Sequence, residues 1–178
     1  GCSAAGRIDN FIYVAMNTFH QAAQTFLSQN IGAGKYERVK DILKKCLLCG
    51  VVTGAILSTV ACVWSEPLLR IYNQDPDVLA AGVIRLRLVA APYIIFGMAD
   101  ILTGAIRGCG SPLIPVVINL LCTCAFRLAW VAAINTQTMP VTWVYLSYPA
   151  SWLLLLTVLL VCWVRLYRKR IRPRIAVS

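Results

Sequence analysis

Asp100 stands alone as an acid inside the apolar run from Leu88 to Ile106. A carboxylate at the centre of a membrane-spanning helix costs about 2.5–3.5 kcal/mol on insertion scales. Such an acid therefore faces a polar interior, and its ordinary work there is to relay ions or protons. The competing role is structural, as a hydrogen bond or an ion pair with Arg107, seven residues on and on the same helical face. Arg127 is the single base of another apolar run, Pro112 to Ile134. A partnership with Asp100 or a shielded structural role suits it better than contact with a cationic ligand, which it would repel.

A second constellation lies near the start of the chain. At 100° per residue, Asn10, Asn17, Gln21, Gln24 and Ser28 share one narrow face of a helix over residues 8–31, with Tyr13 and His20 close by. Phe11, Ile12, Ala15, Phe19, Ala22, Ala23 and Phe26 take the opposite face. This is the periodicity of an amphipathic helix. Amides and a phenol can line a water-filled cavity, and they can equally hydrogen-bond between membrane helices. His20, the only histidine of the chain, is a further candidate for proton coupling.

Both constellations depend on helices that cross a bilayer. The 178 residues are 59% hydrophobic and only 13% charged, against roughly a quarter charged in soluble domains. That leaves too little polar material to coat a soluble surface. The formal charge of +10 resembles a nucleic-acid footprint at first sight. Its cations, however, sit in blocks beside apolar runs, which is the pattern of positive-inside loops. A nucleic-acid partner is therefore not expected, and the expected surroundings are a lipid bilayer.

A span needs roughly 20 mainly apolar residues. Four segments provide it: 46–65, a run ending at 106 within a helix from about 79, 112–134 and 141–164. The amphipathic segment 8–31 is a fifth, because in lipid its polar stripe must face protein or water. The expectation is an all-α integral membrane protein with five transmembrane helices and a basic tail over 165–178. The segment 32–45 holds five cations and the tail six, whereas 66–77 has three acids and one base. Charge bias thus puts 32–45, 107–111 and 165–178 in the cytoplasm and 66–77 and 135–140 outside. Arg85 and Arg87 fit less well and must snorkel to the interface.

The eight cysteines fall mostly inside apolar runs, where they act as small hydrophobes. Cys46 and Cys49 spell CxxC, but no second pair or nearby histidine completes a metal site. No GxSxG, HExxH or phosphate-binding loop is present. Neither an enzyme nor a metal or organic cofactor is expected.

Several strings resemble one family. "RIDNFIYVAMNTFHQAAQTFLSQNIGAGKYERVK" resembles the eighth helix and following loop of multidrug and toxic compound extrusion (MATE) transporters. "DPDVLAAGVIRLRLVAAPYIIFGMADILTGAIRGCGSPLIPVVINLLCTCAFRLAW" resembles helices ten and eleven of their bacterial DinF-like branch. The Arg107-Gly108-Cys109-Gly110-Ser111-Pro112 element, with Pro115 behind it, belongs to the same pattern. MATE transporters have twelve helices in two lobes, and they export cationic or amphiphilic compounds in exchange for Na⁺ or H⁺.

The resemblance makes this chain helices eight to twelve, a partial C-terminal lobe whose partner is the N-terminal lobe of the same protein. It implies an antiporter exporting drugs and xenobiotics across the bacterial cytoplasmic membrane, with Na⁺ or H⁺ as its only small cofactor. Asp100 would couple the ion, and Tyr13, Asn10, Asn17, His20, Gln21 and Gln24 would meet substrate. Arg107 and Arg127 would be structural. A transporter of another MATE branch uses an acid in the same helix, although Asp100 lies nearer to the Arg-Gly element than that acid does. The chain begins at Gly1 without Met or a signal sequence, as a piece of something longer would. A lipid or glycan flippase of related helix plan and a non-transporting membrane scaffold are the alternatives.

Overall fold

A computed structural model describes residues 2–65, 67, 92–133 and 142–175, the side chains of 2–9, 11–12 and 142–145 excepted. Its described residues form helices, with no strand among them. α1 spans Cys2–Gly32, α2 Arg38–Val63 and α3 Tyr93–Gly108. α4 spans Leu113–Ala133, with a wider i→i+5 stretch over Leu120–Ala125. α5 spans Thr142–Leu166 and continues through a second wide stretch, Tyr167–Ile171, into a last turn, Arg172–Ile175.

Glycine ends α1 and α3 by the same device. Gly34 takes φ +74° and Gly110 φ +80°, a region that costs L-residues with a Cβ about 1–2 kcal/mol. After α1, Lys35 N–H donates to the Asn30 carbonyl at 2.8 Å and Gly34 N–H to Ile31 at 3.1 Å. After α3, Ser111 N–H reaches back to Ile106 at 3.4 Å and Gly110 N–H to Arg107 at 3.0 Å. Both patterns are Schellman closures, which satisfy carbonyls that the helix leaves unpaired. Gly110 is therefore a turn residue, and a Cβ there would meet nothing within 4 Å. Pro92 and Pro112 immediately precede α3 and α4, where a missing N–H does no harm.

α3 is the central element and packs against α1, α2 and α5, while α4 leans mainly on α5. Ten of the sixteen residues of α3 are buried, as a helix with neighbours on several sides requires. α4 is the outermost element, and only Pro115 and Cys122 are buried along it. Its Leu113, Val117, Leu121 and Leu128 are 54–76% exposed. Leu48, Val52, Ile56 and Val60 form a second bare stripe at four-residue spacing on α2. Continuous apolar faces of this kind belong against hydrocarbon rather than water.

Arg38–Val63, Leu113–Ala133 and Leu146–Ile175 are long and apolar enough to cross a membrane. α1 carries its polar stripe instead, and the described part of α3 has only 16 residues. The segment 79–91, Arg85, Arg87, the connection 135–140 and most of 66–77 lie outside the described residues.

The helices run past the spans that hydropathy marks. α2 begins at Arg38 rather than at Cys46, and the basic tail is helical as far as Ile175. An apolar run marks the stretch that lipid can hold, whereas a helix extends as far as its inward face finds partners. Val39 and Leu43 bury that face ahead of the run, and Ile171 buries it beyond the end of the last one.

The bundle gathers its basic segments at one end. Arg174 Nη1 donates to the Tyr36 hydroxyl at 2.8 Å, and Arg170 Nη1 to Ser111 Oγ at 3.0 Å. Residues of the α1–α2 and α3–α4 connections and of the α5 extension therefore share one face of the molecule. Cys109, in the α3–α4 connection, has its thiol pushed up to about 12 by burial. It stays protonated at neutral pH, as an inert packing cysteine does.

Candidate functional site

α1 meets α3 along a seam of Met16, His20, Ala23 and Leu27, all buried. The facing residues of α3 are small at a helical spacing. Gly97 leaves room for Met16, and a Cβ on Gly104 would collide with the His20 backbone carbonyl. One turn further along, a Cβ on Gly108 would come within 2.7 Å of the Gln24 carbonyl. Gly104 and Gly108 thus form a small-xxx-small pair that lets two membrane helices approach backbone to backbone.

Asp100 lies one turn before Gly104 on that same face, so the close approach delivers His20 to it. His20 Nδ1 is 2.8 Å from the backbone carbonyl of Asp100 and 3.1 Å from its Oδ1. A carbonyl oxygen only accepts, so Nδ1 carries the proton and shares it between two acceptors. Both side chains are largely shielded, at 6% exposure for His20 and 17% for Asp100. The other carboxylate oxygen, Oδ2, is buried without a hydrogen-bond partner. An unsatisfied buried acceptor costs about 1–3 kcal/mol, so this one calls for an explanation.

Sequence reasoning named both residues, but the only charged partner it offered Asp100, as the alternative to ion coupling, was an arginine. The structure corrects this. Among the described residues the only ion pair is His20–Asp100. Arg107, in the last turn of α3, forms no ion pair with Asp100. Arg127 projects instead toward α5, where its Nε donates to Ser151 Oγ at 3.1 Å. Its guanidinium lies 4.1 Å from the Tyr148 ring centroid and 5.9 Å from that of Trp152. Arg127 ties α4 to α5 by hydrogen bond and cation–π contact.

The amide stripe of α1 flanks the seam and does not enter it. Asn10 and Gln21 are exposed, and Asn17 and Gln24 are half-buried. Of the apolar face, Ala23 enters the seam and Phe19 packs half-buried against the core, whereas Phe26 is 52% exposed. The face that packs lies between the polar and the aromatic ones, because the glycine row of α3 selects Met16 and His20. Tyr13 caps an aromatic cluster that sequence reasoning missed. Its ring is 6.2 Å from Phe96, which stands 5.4 Å from both Tyr93 and Trp152. Tyr148 and Trp152, one turn apart on α5, bring this cluster to Arg127. The four-residue spacing of Tyr148 and Trp152 was a visible signal, but nothing in it indicated the facing pair on α3.

The assembly defines a class: a multi-pass helical membrane protein with a buried histidine–carboxylate pair where two helices touch. The MatE family model matches residues 1–131. The chain belongs to the MatE family. Over 131 residues it is 24% identical to the probable multidrug resistance protein YoeA of Bacillus subtilis, covering 73% of this chain and 28% of that one. A FAD transporter of Shewanella oneidensis is 24% identical over 152 residues, covering 85% of this chain and 33% of its own. The probable multidrug resistance protein NorM of Thermotoga maritima is 20% identical over 132 residues, or 74% and 27% of the two chains. The matched stretch thus spans about a third or less of each of these relatives. No solved structure matches the chain with significance.

Proposed function

We propose that these residues form part of the C-terminal lobe of an ion-coupled multidrug antiporter in which Asp100 binds Na⁺ or H⁺. The observation that carries this reading is the orphaned Oδ2 of Asp100, buried at a helix contact and aimed at no protein donor. His20 occupies Oδ1 and the backbone carbonyl, which fixes the carboxylate and leaves one oxygen for the coupling cation. A proton or Na⁺ there would supply what the protein withholds. The names of YoeA and NorM support an export role.

The remaining assignments follow from this reading. Asn10, Asn17, Gln21 and Gln24, on the open flank of α1, face the cavity between this lobe and an N-terminal lobe, with Tyr13 at its rim. Amides in such a cavity hydrogen-bond cationic or amphiphilic compounds without imposing one geometry. Alternating access needs two repeats rocking around a central site, so the N-terminal lobe is the partner that transport requires. The setting is a bacterial cytoplasmic membrane, with the basic end of the bundle and the C-terminal extension inside.

Asp100→Asn in the whole transporter tests the proposal. The amide keeps volume and hydrogen bonding but removes the titratable charge. Membrane insertion should be normal, and ion-driven efflux of a cationic dye should fall at least tenfold. Undiminished efflux at normal expression would sink the assignment. Poor expression relieved by a second change, His20→Asn, would show that the pair serves stability alone.

A further inference from the structure

The last turn of α5 and its C-terminal extension carry Arg165, Arg168, Lys169, Arg170, Arg172 and Arg174 within ten residues. None of them forms an ion pair among the described residues. A loop that merely holds a topology needs cations and no particular arrangement of them. Here the arrangement is specific. Arg170 and Arg174 are occupied by Ser111 and Tyr36, whereas Arg168 and Arg172, one turn apart, open onto a cleft of about 490 Å³. Lys40 of α2 closes the cleft from the other side, its Nζ 4.8 Å from the Tyr167 ring centroid. Trp163 and Val164 form its floor.

We propose that this cleft binds the headgroup of an anionic phospholipid. Three cations from two helices, none neutralised by a carboxylate, define the charge of the ligand. The floor defines the rest of it. Val164 is 43% exposed, and Leu160 and Val161 continue a bare apolar surface down α5 from the cleft. A Trp–Tyr pair lies at the junction of charge and hydrocarbon, the depth at which such rings settle in membranes. A soluble phosphate compound would meet the cations but leave this apolar surface uncovered, whereas a phospholipid covers both. Basic pockets between membrane helices favour anionic headgroups for these reasons. The inference rests on α5 crossing the bilayer and is independent of what the protein transports.

The test is calorimetric titration of the full chain in neutral detergent, which separates binding from any effect of charge on insertion. The probes are short-chain phosphatidylglycerol, phosphatidylcholine of equal chain length and inorganic phosphate. Phosphatidylglycerol should bind saturably, and the other two at least tenfold more weakly. Replacing Lys40, Arg168 and Arg172 together by Gln should weaken phosphatidylglycerol on the order of a hundredfold, from about fivefold per cation. Replacing Lys35, Lys44 and Lys45 by Gln removes the same charge from exposed positions nearby and should change little. Arg168→Lys with Arg172→Lys guards against a folding artefact and should keep most of the binding. Equal loss in the two triple variants, phosphatidylcholine binding as tightly, phosphate binding as tightly, or loss in the lysine pair would each overturn the proposal.

Discussion

At the scale of the residue, the chemistry of the protein concentrates in side chains whose partners the sequence could not name. Asp100 and Arg127 were conspicuous because charge inside an apolar run is expensive, and that signal is local. Their partners are not local. His20 lies eighty positions from Asp100 and Ser151 twenty-four from Arg127, and a single sequence carries no record of either distance. Opposite charge suggested pairing the two residues with each other. The structure instead gives the acid a histidine and the arginine a hydroxyl between two aromatic rings. Arg127→Lys tests the second arrangement. Lysine keeps the charge but loses both the Nε donor and the flat surface that stacks. The variant should lose about 1–2 kcal/mol of stability, read as a lower thermal midpoint in detergent. An unchanged midpoint would mean that charge alone is needed there.

At the scale of the element, the α1–α3 contact is the organising feature. Asp100, Gly104 and Gly108 follow one another at four-residue spacing on α3, and His20 and Leu27 answer them on α1. The helices among the described residues and their all-α character were legible, since hydropathy and helical periodicity report directly on what lipid and backbone demand. The buried face of α1 was not. Periodicity divided that helix into an amide stripe and a phenylalanine stripe, but the packed seam runs between the two because its position depends on glycines of another helix. Gly104→Ala is the corresponding prediction. The added methyl would meet the His20 backbone, which cannot swing aside as a side chain does. Destabilisation of about 1–3 kcal/mol is expected, together with loss of the His20–Asp100 geometry and hence of coupling. Retained stability and retained efflux would show that the helices can part without consequence.

At the scale of the molecule, packing gathers the cations at one end. Residues 36, 111, 170 and 174 meet through Arg170–Ser111 and Arg174–Tyr36 at one end of the bundle, and the positive-inside rule predicts that this end is cytoplasmic. Orientation can be measured in a background stripped of native cysteines. A cysteine introduced at Asn73 should react with an impermeant thiol reagent added to intact cells, and one introduced at Lys40 should not. The reverse pattern would invert the topology and place the phospholipid cleft in the outer leaflet. The most direct test of the central claim is ion movement itself. The whole transporter, reconstituted in liposomes, should move Na⁺ or H⁺ in the direction opposite to a cationic dye, with a fixed ratio of ion to dye. Asp100→Asn should abolish that counterflow while leaving dye binding measurable. Counterflow that persists at the same ratio in the variant would contradict the account.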